Sequence, residues 1–178
     1  KWLTEAAGPG DLFISEVCER WEEESRAAAE NDVRVVNLRT GIVLSAEGGA
    51  LPQMLPPFKF GLGGRLGSGD QYMSWVTRDD AVRIVEHLIE REDVEGPVNV
   101  CTPAPVTNST FTDVLGDVLG RPTVTWVPEI GVRLLFGQMG TELLLASGRM
   151  RPAKLADSGY RWEYPELRPA LEHVFDES

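Results

Sequence analysis

Between Asp11 and Asn31 apolar residues recur at four-residue spacing, at Phe13, Val17 and Trp21, with Ile14 and Cys18 beside them. That spacing predicts an amphipathic helix. Asp11 is the expected N-cap, and Glu16–Arg20 and Glu22–Arg26 are i,i+4 pairs on its wet side. Val33 to Leu38 is short and β-branched, which predicts a strand. The pattern then breaks. Residues 45–70 hold EGGALPQMLPPFKFGLGGRLGSGD, a Gly/Pro-rich segment expected to be a long functional loop. Tyr72 to Val76 predicts a short strand. Asp79 to Arg91 predicts a helix with Ala81, Val82, Val85, Leu88 and Ile89 on its buried face. Gly96 to Cys101 reads as a strand. Thr107 to Leu119 reads as a helix capped at Thr107 or Asn108 and stopped by Gly120 and Pro122. After a strand at Val124–Val127, the tail predicts helices at Glu129–Phe136, Glu142–Ala146, Ala153–Asp157 and Glu166–Phe175. Strands alternating with helices indicate an α/β chain with a small α-rich end.

A length of 178 residues fits one domain and can bury a core without metal or disulfide support. A first residue of Lys, not Met, raises the expectation that the chain is a portion of something longer. The net charge of −11 works against binding nucleic acid or an anionic membrane surface. No apolar run reaches 18 residues and no signal peptide opens the chain, so a cytoplasmic location is expected. Cys18 and Cys101 are expected to be buried thiols, not a disulfide or a metal pair. His87 and His173 fall off the apolar stripes of their helices and are expected at the surface. No metal site is expected.

The run Gly61-Leu-Gly63-Gly-Arg65-Leu-Gly67 invites a phosphate-cradle reading, but Leu66 occupies the third glycine position and a strand, not a helix, should follow. A flexible substrate-side loop is the expectation. Asp79-Asp80 could be paired catalytic carboxylates; first-turn acids that complement a helix dipole are the stronger reading. Asn108-Ser-Thr matches a glycosylation acceptor with nothing to suggest secretion. The five tryptophans, Trp2, Trp21, Trp75, Trp126 and Trp162, read mostly as core or interface anchors.

Several stretches, taken together, resemble the sugar-nucleotide-epimerase-like branch of the extended short-chain dehydrogenases/reductases. These are Leu3-Thr-Glu5, Asp11-Leu-Phe13, Trp21-Glu22, Val36-Asn-Leu-Arg39-Thr-Gly-Ile-Val43, Ser74-Trp75-Val76 with Asp79-Asp80, and Gly96-Pro-Val-Asn99. The run from Phe111 to Tyr164 resembles that branch's C-terminal domain of unknown function. It carries Leu119-Gly-Arg-Pro122, Val127-Pro, Gly137-Gln-Met139, Glu142-Leu-Leu-Leu145 and Pro152-x-Lys-Leu155. Order and spacing together carry the resemblance, which covers nearly the whole chain.

The resemblance implies the C-terminal part of a Rossmann-like parallel sheet plus a small, mainly helical, substrate-side domain. Residues 1–44 would hold the late Rossmann helix and strand. Residues 45–106 would hold the substrate-side loop, strand, helix and strand, and 107–178 the α-rich domain. A complete member would carry a further half of about 120 residues that binds NAD or NADP, so this chain alone is expected to bind none. Members with ordinary activity use a Tyr followed four residues later by Lys. None of Lys1, Lys59 and Lys154 stands so relative to Tyr72, Tyr160 or Tyr164, and Phe13 and Val17 occupy a comparable spacing. The branch is atypical in the same way.

By resemblance, Arg39, Thr40, Gly41 and Ile42 approach the nicotinamide end, with an ion-pair role for Arg39 equally open. Gly61, Gly63 and Arg65, with Trp75, would line the cleft of a small-molecule substrate. Arg65 or Arg78 would stand in for the diphosphate-binding Arg that sugar-nucleotide epimerases often carry near Met73-Ser74. The helix 11–31 would serve a homodimer interface, with packing of its apolar stripe on its own sheet, or both, equally open. The functional expectation is an NAD(P)-dependent epimerase or oxidoreductase relative; the alternative is a non-catalytic binding or interaction module.

Overall fold

The computed structural model describes residues 1–134 and 144–176. Gly137-Gln138-Met139 and the first two residues of the predicted helix Glu142–Ala146 lie outside them. The elements run α1 (Phe13–Ala29), β1 (Val36–Thr40), β2 (Ile42–Leu44), α2 (Ala50–Lys59), β3 (Gly64–Leu66), β4 (Tyr72–Met73), β5 (Trp75–Thr77), α3 (Arg78–Glu90), β6 (Gly96–Val100), β7 (Val106–Thr107), α4 (Asn108–Leu119) and β8 (Thr125–Val127). Helical residues 129–134 (α5) follow, then α6 (Ala153–Asp157) and α7 (Leu167–Asp176). β1–β6, β2–β5 and β3–β8 pair in parallel, and β4–β7 pairs antiparallel. This is the mixed α/β architecture that the alternation of elements implies.

The pleat of the central strands sorts the core. Successive residues of a strand point to opposite faces. On β2 and β5, Ile42, Leu44 and Trp75 therefore enter one cluster, with Leu51, Leu55 and Phe58 of α2, Phe111 and Leu115 of α4, and Leu171 of α7. Val43 and Val76 enter the other, with Ile84 and Leu88 of α3, Val98 and Val100 of β6, Leu155 of α6 and Tyr160. Helices cover both faces, and each cluster draws on distant parts of the chain.

Several local expectations change. The segment 45–70 contains α2, a ten-residue helix, and β3, so it is not one long loop. Pro56 and Pro57 lie inside α2, where a proline costs about 3 kcal/mol. The helix persists because Leu51, Leu55 and Phe58 are buried, each worth about 1.5–3 kcal/mol. On α3 the buried apolar residues are Ile84 and Leu88, whereas Val82, Val85 and Ile89 of the predicted face are exposed. The helix is rotated by its N-terminal anchor: Asp80, fully buried, accepts Tyr160 Oη at 2.8 Å and the backbone N–H groups of Glu163 and Tyr164 at 3.0 Å. Asp80 thus ties α3 to the tail, while Thr77 Oγ1 caps the helix by accepting Asp80 N.

The same rotation explains the histidines. Both are half-buried, not surface residues. His87 Nε2 lies 2.9 Å from Ser158 Oγ, and its ring meets Tyr160 edge-on. His173 reaches Asp79 Oδ2 at 2.8 Å and stacks on Tyr164. Helix α1 has no buried residue; it starts at Phe13 without a side-chain cap from Asp11 or Leu12, and Cys18 on it is exposed, not buried. Cys101 is buried as expected. Thr107 caps α4 through Thr110 N, and Asn108 is buried with its Oδ1 accepting Leu66 N at 2.8 Å, which withdraws it as a glycan acceptor in the folded chain. Among the described residues no helix is long and apolar enough to cross a membrane.

Candidate functional site

Gly41 marks the point where one extended segment changes partner. Up to Thr40 the segment pairs with β6, and from Ile42 it pairs with β5. The exchange is visible in three backbone bonds: Gly41 N to Val100 O, Ile42 N to Ser74 O, and Thr102 N to Trp75 O, at 2.8–3.0 Å. A Cβ at Gly41 would sit 2.7 Å from Ser74 O, so only glycine lets the two strands approach this closely. In open α/β sheets, ligands gather outside the carboxyl ends of strands where the topology switches. Thr40 is exposed at the carboxyl end of β1.

Arg39 is half-buried and bidentate to Glu22 of α1, with Nε to Oε1 at 2.6 Å and Nη2 to Oε2 at 2.7 Å. Its Nη1 donates to the carbonyls of Glu5 and Ala7. Pairing with Arg39 holds the Glu22 carboxyl below the usual carboxylate range and the guanidinium above its own. The fork is thus engaged in fastening α1 and the N-terminal segment to β1, which is the ion-pair alternative. Glu5 lies buried beneath that segment, and its carboxylate accepts the backbone N–H groups of Asn99 and Lys154.

Trp75 is opposite Ile42 in register. It is fully buried in the first cluster, with Nε1 donating to Ala104 O at 3.2 Å. It therefore supports the strand junction from inside and presents no surface to a cleft in this chain. Arg78 is exposed at the start of α3. It pairs with Glu47 at 2.5 Å across a shallow recess of about 20 Å³, room for little more than a water molecule. The recess lies beyond the carboxyl ends of β2 and β5, lined by Leu44, Ser45, Thr77 and Asp79 among others. Gly61, Gly63 and Arg65 belong to the separate β3–β8 region. Gly61 and Gly67 have positive φ, and Gly63 lies against the Phe58 ring. Arg65 is exposed on β3. The structure thus brings Gly41, Ile42 and Trp75 together, and keeps the Gly61–Arg65 segment on its own strand pair.

Tyr160 is not set up as a base. Burial, and Asp80 beside it, push the Tyr160 phenol well above its ordinary value. Tyr164 is stacked on His173. Among the described residues no group of three or more His, Cys, Asp or Glu side chains could hold a metal ion.

The sequence reading passed over Ser74 and Arg149. Ser74 Oγ donates to Gly148 O at 2.7 Å and accepts Met150 N at 2.9 Å, which docks residues 148–150 beside the junction. That segment also pairs with Leu3: Leu3 N donates to Arg149 O, and Arg151 N to Leu3 O. The Arg149 guanidinium carbon lies 4.0 Å from the Trp2 ring centroid and 4.4 Å from that of Tyr72. Residues 2, 72 and 149 share no motif, so only the fold shows them as a group.

Residues 127–174 match the family model described as Domain of unknown function (DUF1731). An epimerase family protein of Mycobacterium bovis is 42% identical over 167 residues, covering 94% of this chain and 55% of its own length. The crystal structure of the human epimerase family protein SDR39U1 with NADPH superposes on 100% of this chain and 60% of its own, with a TM-score of 0.90 and 33% identity. A nucleoside-diphosphate sugar epimerase from Corynebacterium glutamicum superposes on 100% of this chain and 34% of its own, with a TM-score of 0.81 and 31% identity. The chain spans a little over half the length of the curated relatives it matches.

Proposed function

Because the chain belongs to the NAD(P)-dependent epimerase-like family, we propose that it supplies the substrate-facing part of an NAD(P)-binding epimerase-like protein of the short-chain dehydrogenase/reductase type. Thr40, Gly41 and Ile42 would lie beside the nicotinamide end of the cofactor. Arg78 and the Gly61–Arg65 segment would lie on the substrate side. The observation that carries this reading is the superposition of all of this chain on 60% of the NADPH-bearing human relative.

The residues present suit only the edge of such a cofactor. No Gly-x-Gly-x-x-Gly turn leads from a strand into a helix, and the run from Gly61 runs into β3 instead. The dinucleotide phosphates therefore find no cradle within this chain. With no Tyr-x-x-x-Lys and a buried, hydrogen-bonded Tyr160, the chain's part is to position and enclose a substrate, and proton abstraction is not assigned to its tyrosines. Titrating the 178-residue chain with NADPH and NADH tests this division. Weak, non-saturating signals are expected, and micromolar binding to this chain alone would contradict it.

The reading also gives α1 a role in self-association. Phe13 is 64% and Trp21 70% exposed, on the face that carries Ile14 and Val17. A second copy is the proposed cover for this face, and Trp21→Glu should shift a dimer to monomer in light scattering. A wild-type mass equal to one chain at all concentrations would contradict the dimer.

A further inference from the structure

Three arginines are half-buried among the described residues: Arg39, Arg91 and Arg149. The first two are bidentate to carboxylates, Glu22 and Asp93. Arg149 is different. Its Nε is buried with no hydrogen-bond partner, and no carboxylate or carbonyl among the described residues takes its guanidinium. What holds it is the pair of rings, Trp2 at 4.0 Å and Tyr72 at 4.4 Å. A ring attracts a guanidinium through its face, while all five N–H bonds lie in the guanidinium plane. The two rings therefore hold the guanidinium, and its buried Nε is left unspent. A buried, unsatisfied donor on a charged group is costly and rare, and such groups call for a specific explanation. The natural complement of a planar, rigid, unspent fork is an oxyanion with two oxygens side by side.

We propose that Arg149, clamped by Trp2 and Tyr72, is an anchor for the oxyanion of a small molecule, a phosphate or a carboxylate. The backbone supports the placement: Ser74 Oγ and Leu3 bind residues 148–151 on either side, so the Arg149 Cα is held in a packed segment. The site is made wholly of this chain's residues and stands without the cofactor. Gly41 abuts Ser74, and Ser74 abuts residues 148–150, so the anchor is two strand spacings, about 10 Å, from the junction. A substrate bridging the two would carry its anionic group at Arg149 and its reacting end near Thr40; that extension rests on the function proposed above, whereas the anchor does not.

The test follows the Arg149 Nε–Hε resonance of the wild-type 178-residue chain during separate titrations with inorganic phosphate, glycolate and sodium chloride at matched ionic strength. A saturable shift with phosphate or glycolate, absent with chloride, is expected, and the tighter of the two identifies the group. Arg149→Lys, which keeps the charge but not the fork, should weaken that binding about tenfold, read for this and the other variants by isothermal titration calorimetry beside the wild type. Trp2→Leu, at a half-exposed position, should weaken it about threefold by removing one ring. The proposal is overturned if neither oxyanion moves the wild-type resonance more than chloride does, or if Arg149→Met binds the oxyanion as the wild type does. Because the first readout is on the wild type, a variant that fails to fold does not rescue the idea, and loss of NADPH binding in any experiment leaves it untouched.

Discussion

Tyr160 donates its hydroxyl to Asp80 Oδ1 at 2.8 Å, joining two buried residues 80 positions apart. Asp80 also accepts two backbone N–H groups, so three donors replace the water that this carboxylate loses on folding. Tyr160→Phe removes one of the three and should cost about 1.5–3 kcal/mol, the range for a hydrogen bond to a charged group. Urea unfolding measures it. A change within experimental error would mean that the tail docks on α3 without this bond.

Gly41→Ala should destabilise by about 1–3 kcal/mol, because its methyl would meet the Ser74 carbonyl at 2.7 Å. Gly48→Ala is the control, since a Cβ there meets nothing within 4 Å. Equal stability of the two variants would show that β2 and β5 can separate at no cost, which would remove the argument for a close-packed junction.

Three carboxylates are held below their ordinary values: Glu22 chiefly by its hydrogen bonds from Arg39, Asp79 chiefly by its hydrogen bond with His173, and Asp93 chiefly by its hydrogen bonds from Arg91. A depressed folded value means that stability is fully present above the unfolded value, near 4.5 for Glu and 3.8 for Asp, and is lost as pH falls through the folded one. Glu22→Gln should therefore be less stable than wild type at pH 7 by about 0.5–1 kcal/mol. The gap should narrow as pH falls below 4.5 and close as the wild-type carboxylate itself protonates at its lowered folded value. Hydrogen exchange should show the loss in α1 first, because no residue of that helix is buried. A gap that widens on acidification would contradict the role given to the Arg39 pair.

The cysteines offer a simple contrast. Cys18 is exposed, whereas burial pushes the Cys101 thiol up to about 12. A thiol reagent at pH 8 should label Cys18 in the folded chain and reach Cys101 only on unfolding. Prompt labelling of both would show that the β6 end opens readily.

The strands and most helices were legible because their apolar residues recur at the right period. α6 matches its predicted bounds, and α3, α4 and β6 begin within a residue of theirs. What failed has identifiable causes. Pro56 and Pro57 masked the Leu51, Leu55, Phe58 stripe of α2. On α3, Val82, Val85 and Ile89 are as apolar as Ile84 and Leu88, and the choice between them was made by Asp80, a charged residue that hydrophobic patterning cannot place inside. Gly41 drew notice only through a family resemblance, because its constraint is the Ser74 backbone, 33 residues on. Arg149 drew none, because its ring partners stand at positions 2 and 72.

The central claim is that this chain supplies the substrate-facing side of an NAD(P)-binding epimerase-like protein. The most direct measurement is NADPH binding by a chimera in which this chain replaces the matching segment of the human relative SDR39U1, titrated by nicotinamide fluorescence beside the 178-residue chain alone. The account predicts micromolar, saturable binding by the chimera, weakened about tenfold by Thr40→Trp, which crowds the nicotinamide end, and no saturation by the chain alone. A folded chimera that does not bind NADPH, or a chain that binds it as tightly without the added half, would contradict it.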